Sequence, residues 1–108
     1  MTWTIKFHPG VEETILEMPP GIQARILRLL ELMEVHGANL GAPHTIAMGG
    51  GLFEVRAKAK EGIGRALFCY VRGRRLVILH AFVKKTQKTP KKELGLARAR
   101  MKEITFSD

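Results

Sequence analysis

The stretch that decides the fold is residues 52–59, which read LFEVRAKA. Apolar side chains alternate there with mostly polar ones, so that one side carries Phe53, Val55, Ala57 and Ala59 and the other carries Leu52, Glu54, Arg56 and Lys58. A period of two residues is typical of a β-strand with one buried and one polar face. The stretch therefore predicts a strand that presents charged side chains on one face.

Two further strands are predicted after it, at residues 64–71 and 76–84. Turns are predicted around Glu61-Gly62 and within residues 72–75, which read RGRR. Because consecutive strands joined by short turns pair antiparallel, the three form a meander. In this register Arg65 lies beside Phe82 on one neighbouring strand and near Lys58 on the other.

The register assigns the side chains of the meander to two faces. We expect an apolar face that packs on helices, made of Phe53, Val55, Ala57, Ala66, Phe68, Tyr70, Val77, Leu79, Ala81 and Val83. We expect a charged face made of Glu54, Arg56, Lys58, Arg65, Leu67, Cys69, His80, Phe82 and Lys84. A slip of one residue would destroy this separation, which supports the register.

The first half of the chain is predicted to contain one strand and two helices. Residues 2–7 alternate apolar and polar side chains, as a half-buried strand does. Helical spacing of apolar residues predicts one helix at residues 11–18 and a longer one ending near His36, with Gly37 as its C-cap. The break between them, residues 19–21, indicates a helical hairpin.

A last helix is predicted after Thr89, with Thr89 as N-cap and Pro90 at the first helical position. Its apolar positions, which would dock on the rest of the domain, are Leu94, Ala97, Met101 and Ile104. The order strand, two helices, three-stranded antiparallel meander and C-terminal helix predicts an α+β fold with the helices packed on one sheet face. A length of 108 residues suits one domain.

Charge is distributed unevenly along the chain. The net charge is +8, yet residues 1–50 carry three basic side chains against five acidic ones, and residues 51–108 carry fifteen against five. Such one-sided positive charge is typical of a protein that binds nucleic acid or an acidic partner. A merely solubilising surface would explain scattered lysines better than this asymmetry.

Several other features narrow the class of protein. The apolar run at residues 76–82 is too short to cross a bilayer, and the N-terminus lacks the pattern of a signal peptide. The single cysteine, Cys69, fits a reducing compartment. The four histidines, at positions 8, 36, 44 and 80, share no metal-ligand spacing. We therefore expect a cytoplasmic protein that uses no metal or other cofactor and does not bind membranes.

The charged residues of the meander should converge at one edge of the sheet. The predicted register brings together four cations with Glu54 beside them: Arg56, Lys58, Arg65 and Lys84. Clustered cations repel one another unless a polyanion neutralises them. A phosphodiester is the expected ligand.

Such a cluster could cleave RNA, which carries its own nucleophile in the 2′-hydroxyl. The reaction needs alignment of that hydroxyl with the phosphate, a base, an acid and cations over the phosphate. Glu54 is a candidate base, or it orients Arg56; Arg56 and Arg65 suit bidentate phosphate contacts. Lys84 adds charge or serves as the acid. The competing interpretation is a solvated Glu54–Arg56 surface pair beside a solvated Arg65.

Other residues on the charged face have two interpretations each. His80 is a candidate acid or a hydrogen-bonded core residue, and Phe82 either stacks on a base or packs in the interior. Cys69 has no base in obvious reach and is interpreted as a packing residue. We expect further RNA contacts from Lys58, Lys85 and Lys88.

A known family matches these motifs. Residues 50–56 (GGLFEVR), 65–68 (RALF) and above all 79–90 (LHAFVKKTQKTP) closely resemble the phage-derived Gp49-like/HigB branch of the RelE toxin superfamily. The resemblance covers nearly the whole chain. By position, Glu54, Arg56 and Arg65 match charged residues of the family's second and third strands, and Lys84 with Lys85 matches its basic fourth-strand end.

The resemblance implies a RelE-like fold and the toxin of a type II toxin-antitoxin system, which cleaves messenger RNA on the ribosome. It also implies a HigA-like helix-turn-helix antitoxin, through which alone the toxin would meet operator DNA. Many relatives use a tyrosine near the C-terminus, whereas none follows Tyr70 here. The identity of the acid and base therefore stays open.

Two alternatives to an endoribonuclease toxin remain. One is a non-catalytic basic module, a decayed toxin that binds RNA or an acidic protein segment. Phosphate binding alone does not require a carboxylate such as Glu54 among the cations, which favours the enzyme. The other is attachment of the basic last helix to a membrane surface, although its modest apolar stripe would more naturally dock on the domain.

Overall fold

The computed structural model describes residues 2–37, 40–84 and 88–107. Its elements are, in chain order, β1 (Thr4–Phe7), α1 (Val11–Leu16), α2 (Pro20–His36), β2 (Thr45–Gly49), β3 (Leu52–Ala59), β4 (Gly62–Val71), β5 (Arg75–Lys84) and α3 (Lys91–Ser107). The predicted α+β class is confirmed, and β3 has the predicted bounds. The additional strand, β2, reads TIAMG. Its consecutive apolar residues lack the period of two that identifies a half-buried strand.

One five-stranded sheet joins the strands in the order β1-β5-β4-β3-β2. The pairs β2–β3, β3–β4 and β4–β5 are antiparallel, as expected for strands joined by short turns. β1 pairs with β5 in parallel, so the first and last strands of the chain become neighbours. The meander that carries the candidate site therefore lies in the middle of the sheet.

The first core lies between one face of the sheet and the helices α1 and α2. Its buried helical members include Val11, Ile15, Ile22, Ile26, Leu29 and Met33, and its strand members include Val55, Ala57, Ala66, Phe68, Leu76 and Ile78. Gly64 permits the close approach of α2 to the sheet. A Cβ atom at Gly64 would lie 2.9 Å from Cδ1 of Ile26 and closer still to Cγ2 of Ile22.

α3 packs on the opposite face of the sheet. The second buried cluster joins Ala97 of α3 to Leu52, Leu67, Cys69, Leu79 and Phe82, with Leu94, Met101 and Ile104 packed against it. Docking of the predicted apolar stripe of α3 is confirmed. Its placement on the same face as the other helices is wrong, because the supposedly charged face carries enough apolar side chains to bury a helix stripe of its own.

A β-bulge alters the predicted faces near the middle of β5. Arg65 pairs with Phe82 as predicted, and Leu67 pairs with His80, but Phe68 pairs with Ile78. Because of this shift, Leu79 is an extra residue that pairs with no residue of β4. The side chains of β5 before Leu79 therefore lie on the face opposite to the predicted one. Val77 and Leu79 therefore pack in the cluster with α3, not on the α1–α2 face as predicted.

Candidate functional site

Three neighbouring rows of cross-strand partners carry the candidate residues. The rows run across β3, β4 and β5 as Glu54–Leu67–His80, Arg56–Arg65–Phe82 and Lys58–Ile63–Lys84. Because side chains alternate along a strand, all three rows face the side of the sheet on which α3 packs. The structure thus brings the predicted residues together, with Arg56, not Lys58, directly opposite Arg65.

Glu54 lies at the centre of a buried hydrogen-bond network. Its side chain is fully buried, as is that of Arg65. Nε of Arg56 donates a 2.5 Å hydrogen bond to Oε1 of Glu54, and the Thr89 hydroxyl donates a 2.6 Å bond to Oε2. A guanidinium nitrogen of Arg65 donates to the same hydroxyl at 3.3 Å. We call these four residues the Glu54 network.

Charge and burial oppose each other in this network. Burial lowers the pKa of Arg65, the Glu54 carboxylate acts to raise it, and the neighbouring Arg56 lowers it further. A buried cation is stable only with a partner of opposite charge. Glu54 therefore holds two guanidinium groups close together, and the interpretation as a solvated surface pair is wrong.

Thr89 has a role that its local sequence does not indicate. The Thr-Pro dipeptide predicts an N-cap, but α3 begins at Lys91, and the Pro90 carbonyl accepts the hydrogen bond from Leu94 N–H. The N-cap prediction for Thr89 is wrong because its hydroxyl instead bonds Glu54 and Arg65. This partnership spans 35 residues, which no local sequence pattern reports.

Exposed cations adjoin the Glu54 network. Lys58 and Lys84 are exposed on either side of Ile63, while the Arg56 side chain is 19% exposed. Lys88 is also exposed, just before Thr89. Lys85 lies outside the described residues. The accessible part of the site is therefore made of the outer end of Arg56 and exposed lysines.

The remaining candidates on this face lie in the interior. Phe82 is 8% exposed, and its ring stacks on that of His80 with 5.5 Å between centroids. Nε2 of His80 lies 2.7 Å from a carboxylate oxygen of Glu93 in α3, and Cys69 is buried in the same cluster. In this conformation Phe82 offers no surface on which a base could stack. His80 was interpreted either as a candidate acid or as a hydrogen-bonded core residue, and the structure supports the second interpretation.

A cavity of about 210 Å³ opens beside the Glu54 network. It is lined by Arg25 of α2, by Pro43, His44 and Ile46, and by Arg56 and Lys58 of β3. Arg25 and His44 are not among the residues singled out from the sequence. No spacing rule connects them, because they meet only when α2 packs over the sheet.

Within residues 2–37, 40–84 and 88–107, no three His, Cys, Asp or Glu side chains are grouped so that they could hold a metal ion. Across those same ranges no helix is long and apolar enough to cross a membrane. The groups available at the Glu54 network are a carboxylate, two guanidinium groups and a hydroxyl, and the ammonium groups of Lys58 and Lys84 adjoin it.

The fold is that of the RelE toxins. A double arginine-to-alanine mutant of Escherichia coli toxin RelE in the free state matches with a TM-score of 0.69 at 7% identity, over 94% of this chain and 99% of that one. The archaeal RelE-RelB complex from Pyrococcus horikoshii matches with a TM-score of 0.58 at 19% identity, over 82% and 100%. The toxin-antitoxin complex RelBE2 from Mycobacterium tuberculosis matches with a TM-score of 0.58 at 19% identity, over 78% of this chain and 100% of that one.

The family model for phage-derived Gp49-like proteins matches residues 13–102. The chain therefore belongs to the Gp49-like family, as its sequence motifs indicate. No protein of curated function matches it in sequence.

Proposed function

We propose that this protein is the toxin of a type II toxin-antitoxin system and that it cleaves messenger RNA on the ribosome without a metal ion. One observation carries the proposal: the buried Glu54 carboxylate binds Arg56 at 2.5 Å beside a buried Arg65. Simple phosphate binding gains nothing from a carboxylate among its cations. The RelE-like fold and the Gp49-like family support the same function.

Each side chain has a proposed part in attack by the 2′-hydroxyl on the adjacent phosphate. Arg56, Lys58 and Lys84 hold the phosphate oxygens and stabilise the negative charge of the transition state. Glu54 accepts the 2′-hydroxyl proton or orients Arg56 through their hydrogen bond. Lys84 is one candidate for the acid that protonates the leaving 5′-oxygen, and Lys88 extends the basic surface along the RNA.

Access to Glu54 and Arg65 requires movement of the segment that covers them. Thr89 bonds both residues, and α3 begins two residues later. Displacement of residues 88–90 with the first turn of α3 would expose the carboxylate and the buried guanidinium to RNA. In the conformation described, Glu54 positions Arg56 through their hydrogen bond, and the RNA-contacting groups are the exposed cations.

We further propose that an antitoxin silences the toxin. Two of the similar structures are complexes of a RelE-type toxin with its antitoxin. A HigA-like helix-turn-helix protein is the expected partner, and it would bring the toxin to operator DNA. The basic second half of the chain, with fifteen basic side chains against five acidic ones, suits an acidic segment of such a partner.

Primer extension on a translated messenger RNA tests the activity. The native protein is induced briefly, in parallel with a variant of two exposed site lysines, Lys58→Ala, Lys84→Ala, and a Lys6→Ala, Arg28→Ala variant that loses the same charge from exposed positions elsewhere. New 5′ ends are expected from the native protein and the charge-matched variant, but not from the site variant. The same RNA without ribosomes should stay intact, and cleavage there would contradict ribosome dependence.

The burial of Glu54 and Arg65 supports a second candidate function, a non-catalytic basic module that binds RNA or an acidic protein segment. In such a module the Glu54 network would be purely structural. Absence of new RNA ends from folded native protein that is free of antitoxin would favour this candidate over the nuclease.

A further inference from the structure

The cavity beside the Glu54 network exists because β2 is shorter than β3. β2 pairs with β3 only as far as Thr45 opposite Val55, with one more backbone bond from Arg56 N–H to the His44 carbonyl. The second half of β3 therefore extends beyond β2, and α2 passes over it. Residues from three parts of the chain, α2, residues 43–46 and β3, line the resulting space.

The charges around this cavity are of one sign. Arg25, Arg56 and Lys58 line it with the imidazole of His44, and none of the lining side chains is acidic. In the part of the chain that the structure describes, neither Arg25 nor Lys58 takes part in an ion pair, whereas Arg28, three residues further along α2, lies 3.9 Å from Glu31. Arg25 and Lys58, two cations without an ion-pair partner among the described residues, therefore favour an anionic ligand in this cavity.

The cavity has room for a ligand larger than a water molecule. Its volume of about 210 Å³ is several times the roughly 30 Å³ that one water molecule occupies in the liquid. Pro43, Ile46 and the His44 ring add apolar and aromatic surface next to the cations. An aromatic or imidazole face beside a cationic rim is how proteins bind the bases and phosphates of single-stranded nucleic acid.

We propose that this cavity binds one nucleotide of the RNA strand, next to the nucleotide that reacts at the Glu54 network. Arg25 and Lys58 bind its phosphate, and its base packs against His44, Pro43 and Ile46. Arg56 links the two sites, because it lines the cavity and donates through Nε to Glu54. The inference rests on the proposed function for the identity of the ligand, but it adds Arg25 and His44 as residues that contact RNA.

Binding of an uncleavable RNA tests the cavity separately from cleavage. The probe is a fluorescent RNA hexanucleotide with 2′-O-methyl groups, which block the nucleophile, and anisotropy is measured over a series of salt concentrations. We compare Arg25→Gln with Arg28→Gln, an exposed position on the same helix that loses the same charge without lining the cavity. Circular dichroism verifies that both variants are folded.

We expect Arg25→Gln to weaken binding about tenfold and to reduce the slope of log K against log salt by about 0.7, the value for one phosphate contact on a single strand. Arg28→Gln should leave the slope unchanged. Equal effects of the two variants on RNA affinity and on the salt slope would overturn the proposal. It would also be overturned if the native protein bound no RNA but bound an acidic peptide through Arg25.

A second measurement tests the base side of the cavity. Adenosine 5′-monophosphate is titrated while the imidazole signals of His44 and of His36, an exposed residue at the end of α2, are followed by NMR. The His44 signals should shift and the His36 signals should not; equal shifts, or none, would overturn the assignment.

The cavity and the nuclease can fail separately. If the protein cleaves messenger RNA but binds RNA equally well without Arg25, the cavity proposal is refuted and the nuclease stands. If binding depends on Arg25 but no RNA is cleaved, the nuclease proposal is refuted and the cavity stands.

Discussion

The hydroxyl of Thr89 donates a 2.6 Å hydrogen bond to Oε2 of Glu54 and so ties the start of α3 to the centre of the sheet. The same hydroxyl accepts a hydrogen bond from Arg65. One oxygen atom therefore connects the segment that covers the site with both of its fully buried charged residues. The stability of the covered state and access to Glu54 should both depend on this atom.

Replacement of Thr89 by valine removes that oxygen while keeping the shape of the side chain. Glu54 and Arg65 would each lose a partner in the interior, so the free energy of unfolding should fall by about 1–3 kcal/mol. Thr89→Ser, which keeps the hydroxyl, should cost about 1 kcal/mol or less. Urea unfolding of the three proteins gives the comparison, and equal losses for valine and serine would show that the hydroxyl contributes nothing.

Glu54→Gln should destabilise the protein by removing the counter-charge of two arginines. The carboxylate raises the pKa of Arg65 against the effect of burial, so its loss leaves a buried cation with less compensation and a still lower pKa. We expect a loss of about 3 kcal/mol near pH 7.

Urea unfolding of both proteins at pH 7 measures that loss. Equal stability of the two proteins would contradict the role assigned to Glu54. Glu31→Gln serves as the control, since Glu31 is exposed on α2 and should show no comparable effect.

Two glycine-to-alanine substitutions should have opposite effects. At Gly64 a new methyl group would collide with Ile22 and Ile26, and overpacking of this kind typically costs about 1–3 kcal/mol. At Gly95, inside α3, a new Cβ would meet nothing within 4 Å, and alanine should stabilise the helix by about 0.5–1 kcal/mol. Thermal unfolding decides between these signs, and a stabilised Gly64→Ala would refute the close contact of α2 with β4.

Glu61 should stabilise the helix that carries Arg25. Its carboxylate, in the turn between β3 and β4, accepts a 3.0 Å hydrogen bond from Gly21 N–H in the first turn of α2. A carboxylate at a helix N-terminus contributes about 1 kcal/mol through capping and the helix dipole. Glu61→Ala should lower the free energy of unfolding by that amount, whereas an exposed control near the C-terminal end of the same helix, Glu34→Ala, should not; equal effects would contradict the cap.

The fold could be predicted well where local patterns decide it. The alternation in residues 52–59 gave the bounds of β3, and the short turns set the register of Arg65 opposite Phe82. The bulge at Leu67/Phe68 could not be predicted, since it changes which residues oppose each other without altering the alternation itself. The parallel pairing of β1 with β5 is a long-range contact that no local pattern encodes.

The site was predictable in position but not in environment. Strand register alone brings Glu54, Arg56 and Arg65 together, so sequence patterns could identify them. Their burial follows from Thr89 and from the docking of α3, and the cavity follows from the placement of Arg25 over β3. These contacts connect segments that are distant in sequence, and only the packed structure shows them.

The central claim is that the protein cleaves RNA through the RNA's own 2′-hydroxyl. The most direct test uses a ribosome programmed with a messenger RNA that carries a single 2′-deoxynucleotide at the mapped cleavage position, beside the same RNA with ribose there. We predict that the ribose RNA is cut to leave a 2′,3′-cyclic phosphate and that the deoxy RNA stays intact at that position. Equal cleavage of the two RNAs would contradict the account.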